Sequence, residues 1–408
     1  MNNLQQSKYR WYILILSALT HTFVVAMQMM CMPVLFKEIS EELGLSLVQI
    51  GTVWGMVSLA GVFTGLLGGL VSDRFGTKRM LIFSCLLAGI TGALRGTSAG
   101  VVSLALTVVL FGLITTTIPM IVYKTCGAWF SRRQLGLANG AVSMGMALGF
   151  MVGSMVSATF LSPLLGGWRN VLYFYGAISI LISFLWFLTR GEPAQAEVSS
   201  GQAGTVFFRQ AWSRIIRSKK MWLLGLMYMG VSGCYIGVFG YLPLYLREVG
   251  WSAAGADGAL AALHGCSMIG AIPVALLSDR LGRRKPVLVV ATIMAAIGVC
   301  LLAVADGALI WVAVLIAGIV RDGYVGVFTS MIIETEEVGA MYTGTAIGLI
   351  FTISRAGGVL APTAGNSLAS IGLNVPFIFW ASLVALSLVG LCFFKETGMS
   401  GRGGISRR

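Results

Sequence analysis

The sequence predicts an all-α membrane protein of twelve transmembrane helices arranged as two pseudo-symmetric six-helix bundles. Three observations predict it. The 408 residues are 57% apolar and only 11% charged, with a mean hydropathy of +0.88, whereas a soluble domain carries about 25% charged residues. Apolar runs of about 20 residues, the length that crosses roughly 30 Å of hydrocarbon at 1.5 Å per residue, recur along the whole chain. Landmarks of the first half also return in register in the second.

The runs fall at 11–35, 47–71, 80–95, 101–123, 136–160 and 169–189, then at 221–246, 256–277, 287–305, 308–331, 340–365 and 375–394. The first is too long for a signal-peptide core and no small-x-small site ends it, so it is expected to remain as the first helix. Between the sixth and seventh, residues 190–220 form the longest polar stretch. It opens on Pro, Ser, Gly and Ala and closes on a basic amphipathic piece, which predicts a cytoplasmic linker whose second part lies on the membrane surface. The expected organisation is an N-terminal bundle over 1–189, the linker over 190–220, and a C-terminal bundle with a short cytoplasmic tail over 221–408.

A net charge of +13 could serve nucleic acid, but its placement says otherwise. With the N-terminus inside, 22 of the 28 Lys and Arg residues fall in the cytoplasmic loops and tails. The opposite side has Lys37, Arg95, Arg169 and Arg247. This asymmetry puts both termini in the cytoplasm of a multi-pass protein of the cell (inner) membrane, with lipid rather than nucleic acid as its surroundings. The seven cysteines lie in or beside apolar runs without metal-ligand spacing, so neither a disulfide framework nor a metal site is expected. No cofactor is expected either. The chain lacks G-x-x-x-x-G-K-[ST], H-E-x-x-H and G-x-S-x-G, which argues against direct ATP use and against an enzyme.

The repeat is carried by three pairs of landmarks. Asp73-Arg74 returns as Asp279-Arg280, and Gly44-Leu45-Ser46 as Gly250-Trp251-Ser252; Gly136, Ala138 and Gly140 return as Gly344, Ala346 and Gly348. Matches at a nearly constant offset imply duplication of a six-helix unit. In each copy the D-R-x-G stretch is a tight turn between the second and third helices, with Gly76 or Gly282 permitting the reversal. Asp73 and Asp279 are expected to meet helix N-termini of the opposite half, so that Asp73, Arg74, Gly76, Asp279, Arg280 and Gly282 latch one conformation.

These stretches resemble the signature G-x-x-x-D-R-x-G-R-[RK] of the major facilitator superfamily, matched by Gly69, Asp73, Arg74, Gly76 and Lys78, with Thr77 where the family carries a basic residue. The second copy matches through Asp279, Arg280, Gly282, Arg283 and Arg284. The resemblance implies two bundles that rock about a central site and open alternately to each side, with spans 1, 2, 4, 5, 7, 8, 10 and 11 lining the cavity. "WFSRRQLGLANG" at 129–140 is similar to the helix 4 to 5 junction of the monocarboxylate and oxalate/formate transporters, although span 1 has no Lys and span 8 holds His264. An antiporter signature in the fifth helix is nearly met by Gly136, Gly145, Gly149 and Gly153, but Phe150 replaces its Pro and Ser154 its last Gly.

An ionisable residue at mid-membrane is a functional candidate because burying it is costly. Span interiors offer His21, His264, Arg321, Asp322 and Arg355. Arg321 lies near the centre of span 10, too deep to reach water by snorkelling, and a guanidinium holds a carboxylate through paired hydrogen bonds. Its duplicate position is Thr115. Direct pairing of Arg321 with Asp322 is not expected, since adjacent helical residues point about 100° apart. Arg355 sits in the outer half of span 11. Polar stripes add His21 and Gln28 in span 1 and Tyr228 and Tyr235 in span 7, and Asn139 and Ser143 in span 5 complete the expected substrate contacts. Asp322, His264 and His21 are the candidates for a coupling proton.

The expected function is secondary active transport of a small organic anion, monocarboxylate-like, by proton-coupled symport and rocker-switch alternating access in a monomer. The alternative is a proton antiporter for drugs or amphipathic compounds, which would be governed by aromatic and Met residues and indifferent to loss of Arg321.

Overall fold

The computed structural model describes residues 3–190, 216–335, 339–394 and 396–397, with residues 3–7, 65–75, 132–133 and 339–344 described through the backbone alone. Among the described residues every regular element is a helix. Eleven of them are long and apolar enough to cross a membrane, and a twelfth apolar helix, Lys285–Leu301, falls one residue short of that length class. The expected twelve runs are all helical. Large apolar side chains such as Phe83, Phe187 and Phe393 are 59%, 63% and 77% exposed. Lipid is the solvent that makes such exposure favourable, and helices are the form that satisfies the backbone within it.

Contacts divide the chain into two compact units, Met1–Ser46 with Met56–Ser200, and Leu47–Gly55 with Gly201–Arg408. The first unit holds α1 (Asn3–Leu19) and α2 (Met27–Leu43), joined through Thr20–Ala26, then most of α3 (Leu47–Phe75), α4 (Thr77–Leu94), α5 (Val101–Thr115), α6 (Ile118–Trp129), α7 (Arg132–Val156), a short α8 (Ser162–Leu165) and α9 (Trp168–Leu188). The α1–α2 junction widens to π-helical hydrogen bonding, a local irregularity that recurs at functional sites. Two threonines hold it there. Thr20 Oγ1 donates to Leu16 O and accepts from Trp186 Nε1, and Thr22 Oγ1 lies 2.9 Å from Ala18 O and 2.7 Å from Gly145 O.

Apolar helices gain little from leaving lipid for one another, so close packing and van der Waals contact must hold them. Here α7 crosses the first helix through glycines. A Cβ added at Gly149 would stand 2.6 Å from Ala26 Cβ and 2.7 Å from Thr22 O, and one at Gly153 would stand 2.8 Å from Met27 Cα. These glycines therefore close a crossing inside the first unit.

The second unit holds α10 (Lys219–Glu248), α11 (Ala253–Leu281), α12 (Lys285–Leu301), α13 (Leu309–Ile319), α14 (Arg321–Glu334), α15 (Gly339–Ser367) and α16 (Val375–Phe393). It also takes in the first turns of α3: Trp54 Nε1 donates to Ile236 O at 2.7 Å and Asn366 Nδ2 to Leu47 O at 2.8 Å. Trp380 fills the space between α10 and α15, donating to Ala361 O at 2.8 Å.

Both units interrupt the fourth helix of their repeat near the same place. The run expected at 101–123 breaks at Thr116–Thr117 and resumes to Trp129, and the run expected at 308–331 breaks at Val320. Pro119 explains the first, because it lacks the N–H that would continue the ladder. The second has no proline. Gly318 and Gly323 flank it instead, pressed against Leu263 O and Val274, where an added Cβ would stand at 2.7 and 2.4 Å.

Candidate functional site

The duplicated turns adopt the conformation expected of them. Gly76 and Gly282 have φ of 79° and 60°, the left-handed region that only glycine enters at little cost. Asp73 and Arg74 belong to the end of α3, but their side chains lie outside the described residues. Asp279 finds its cation nearby: Arg284 Nη1 is 2.5 Å from Asp279 Oδ1, and Arg284 Nη2 is 2.9 Å from Glu334 Oε1. The Arg284 backbone N–H donates to Glu396 at 2.7 Å. Hydrogen bonds donated to Glu334, and next to Asp279, hold the Arg284 guanidinium even more firmly protonated than usual. Arg280 of the same turn is exposed.

In the second unit the structure gathers several predicted residues on one strip. Arg321 opens α14 immediately after the break, and its guanidinium carbon lies 4.8 Å from the Phe239 ring centroid and 5.9 Å from that of Tyr235. His264 packs against the same Phe239 ring, its centroid 4.7 Å away. Tyr235 contributes its ring, not its hydroxyl. That O–H donates to Ala317 O at 2.7 Å, a carbonyl in the last turn of α13 where a helix leaves acceptors open. Tyr228, two turns before Tyr235, stacks on Phe328 at 5.1 Å and meets Phe351 edge-on at 5.0 Å.

Arg321 does pair with its neighbour. Nη1 stands 2.9 Å from Asp322 Oδ1, against the expectation drawn from the 100° step between adjacent residues. Two features reconcile them. The break frees Arg321 from the preceding turn, and a six-atom side chain can fold back across the first turn, where a carboxylate is also favoured by the helix dipole. The Asp322 backbone N–H is held by Ser267 Oγ at 3.2 Å. The pair is partly open, with 21% and 33% of the two side chains exposed.

Arg355 is different. It lies roughly 24 Å from one end of α15 and 18 Å from the other at about 1.5 Å per residue, and among the described residues no hydrogen bond, carboxylate or stacked ring is assigned to it. It is partly open. Sequence reasoning gave the leading role to Arg321; the structure neutralises Arg321 with Asp322 and, among the described residues, assigns Arg355 no counter-ion.

In the first unit, His21 is fully buried at the π-helical junction, edge-on to Tyr123 at 5.5 Å. Tyr123 Oη and Ser143 Oγ are 2.9 Å apart. Ser17 Oγ and Asn139 Oδ1 are buried without a hydrogen-bonding partner, and neither His21 nitrogen makes a bond of good geometry, although the ring faces the Val142 backbone. His21 and Ser143 both meet Tyr123, and Asn139 lies one turn before Ser143 on α7. The sequence did not single out Tyr123.

Two predicted substrate contacts are corrected. Gln28 is fully buried and spent within the bundle: its amide nitrogen donates to Tyr175 O and Ser179 Oγ, and its oxygen accepts from Arg95 Nη2 at 3.1 Å. Thr115 is 5% exposed and its hydroxyl donates to Phe111 O. Both sit on helix faces that pack against neighbours. Arg95, expected on the outer surface, is 1% exposed; it donates to Gln28 O at 2.9 Å and its guanidinium carbon stands 3.9 Å from the Phe111 ring centroid. Asp257, overlooked at the edge of its span, is fully buried and paired with Arg247 at 2.6 Å.

The model of the Major Facilitator Superfamily matches residues 18–362, and again 258–403. The chain belongs to that superfamily. This places it among membrane transporters and not among enzymes. A cis,cis-muconate transport protein of Acinetobacter baylyi is 24% identical over 97% of this chain and 98% of its own length. The probable nitrate/nitrite antiporter of Thermus thermophilus is 29% identical over 59% of this chain; the match spans about half of that protein, 54%. Among solved structures, one of the nucleoside transporter NupG covers 94% of this chain and 100% of its own with a TM-score of 0.82 at 13% identity, a likeness of fold.

Proposed function

We propose that this superfamily member is a secondary active transporter of a small organic anion, monocarboxylate-like, moved together with a proton. The observation that carries the reading is Arg355, a mid-span cation with no carboxylate assigned to it among the described residues, one helical turn after Phe351. An uncompensated charge at that depth is expensive, and an anionic cargo offsets the cost each time it docks. Two cations and one carboxylate leave one positive charge, which suits a single negative charge on the substrate. The relatives named for muconate and for nitrate/nitrite, both anions, support the same class. The similarity of residues 129–140 to the monocarboxylate and oxalate/formate branch supports the monocarboxylate assignment.

In this reading Arg355 binds the anion, with Arg321, Tyr228 and Tyr235 shaping its surroundings. Asp322 is the carrier of the coupling proton in the second unit, because protonating it would release Arg321; His264 is its neighbour on the Phe239 ring. In the first unit His21 is the titratable group, with Asn139 and Ser143 as further polar contacts. The protein acts as a monomer in the inner membrane with both termini cytoplasmic, and two six-helix bundles joined by the linker at 190–220 alternate access by rocking. The turn residues Asp73, Arg74, Gly76, Asp279, Arg280 and Gly282 latch one state.

The test is uptake of labelled carboxylates into proteoliposomes, above that of protein-free vesicles, with and without an inward proton gradient. Losing one charge-assisted hydrogen bond costs about 1.5–3 kcal/mol, or roughly tenfold to a hundredfold in kcat/KM. Arg355→Gln is expected to show that loss. Uptake that ignores Arg355→Gln and substrate charge alike would instead support the exporter of amphipathic compounds.

A further inference from the structure

Resting on the reading of Arg355 as the anion site, we propose that the cargo is a flat, conjugated carboxylate, an arene or diene acid, and not a saturated or polyhydroxylated one. The argument starts from where Arg355 points. A helical side chain leans toward the N-terminus and covers the turn before its own Cα. For Arg355 that turn carries Phe351, one turn earlier on the same face. Phe351 meets Tyr228 edge-on at 5.0 Å with an interplanar angle of 68°. Tyr228 is stacked on Phe328 at 5.1 Å, and Phe328 on Tyr324 at 5.6 Å with only 12° between the planes. The surface next to the free cation is therefore a packed block of rings, held from behind and presenting Phe351 partly open.

A carboxylate held by both N–H groups of one guanidinium lies in the guanidinium plane. If the carboxylate is conjugated, the carbons that follow stay in that plane, and the ligand leaves Arg355 as a sheet that can meet ring edges with its π-face. Edge-to-face contact of this kind is the arrangement aromatic quadrupoles favour. A saturated chain of the same length has no such face and must be frozen out of many rotamers to lie flat.

Polyhydroxylated acids meet a second obstacle. Several hydroxyl groups near the strip already spend their protons on backbone carbonyls: Tyr235 on Ala317 O, Thr329 on Val325 O, Ser330 on Gly326 O and Ser354 on Phe351 O. Tyr324 Oη, which has no such bond, is buried within the ring block. Hydroxyls on every carbon of the cargo would outnumber the donors left to answer them, and an unmatched buried polar group is penalised.

The test is calorimetric titration of the detergent-solubilised full chain with four acids: hexanoate, sorbate and gluconate, which share a six-carbon chain, and benzoate. Sorbate and benzoate are expected to bind at least tenfold more tightly than hexanoate and gluconate. Phe351→Leu is expected to shrink the sorbate-to-hexanoate affinity ratio at least fivefold, and displacement of bound sorbate by the other three acids on the wild type repeats the ranking without any substitution. Hexanoate or gluconate equalling sorbate overturns the inference, while anion binding lost in Arg355→Gln would leave the transport reading standing. If none of the four acids binds, the anion reading fails, and the inference with it.

Discussion

Arg355 and Arg95 are both arginines inside a membrane bundle, yet they predict opposite phenotypes. Arg95 answers Gln28 twice and lies against the Phe111 ring, so Arg95→Met leaves the buried Gln28 side-chain oxygen without its donor, at about 1–3 kcal/mol. The melting temperature of the purified protein should fall by several degrees, while uptake per folded molecule is retained. Arg355→Gln removes a cation that has no carboxylate assigned to it. Thermal unfolding should show stability unchanged or raised, with uptake lost. Sequence position had ranked these residues otherwise: Arg95 follows an apolar run and reads as a boundary charge, because nothing local reveals that the chain turns it inward toward Gln28. Gln28 itself shares a face with His21 by spacing, and the widened turn at Thr20–Ala26 then rotates the register between them. Asp257 was hidden in the same way, one residue inside a predicted span edge.

At the scale of elements, glycines separate into those that space helices and those that bend chain. Gly149→Val should cost about 1–3 kcal/mol through overpacking against Ala26 and Thr22, seen as a drop in melting temperature. Gly140, where an added Cβ meets nothing within 4 Å, is the matched control, and Gly140→Val should not lower the melting temperature. Gly282→Ala should cost about 1 kcal/mol through its left-handed backbone. The tight turns were legible because only glycine serves at positive φ and the pattern occurs twice. The interruption near Thr116 carried its own sign in Pro119. The one at Val320 did not, since it follows from glycines pressed by α11, a fact of packing and not of local sequence.

For the whole molecule, the spans, the repeat and the superfamily were readable because lipid imposes a length and a polarity that composition cannot hide. The assignment of Leu47–Gly55 to the second compact unit was not, as α3 is one uninterrupted helix and its loyalties depend on Trp54 and Asn366. Proton coupling belongs to this scale. Asp322→Asn should abolish accumulation driven by an inward proton gradient yet preserve exchange of labelled for unlabelled substrate, measured in the same vesicles. The paired interruptions of α5–α6 and α13–α14 carry a last consequence. The bend occurs in both copies and the Arg321–Asp322 charges in only one, with Thr115 and Thr116 at the equivalent sequence positions of the other. The repeat thus supplies a bend, and the ion pair stands at only one of its two copies. Backbone geometry and charge are therefore separable at this place: the same interruption is built once around threonines and once around an ion pair.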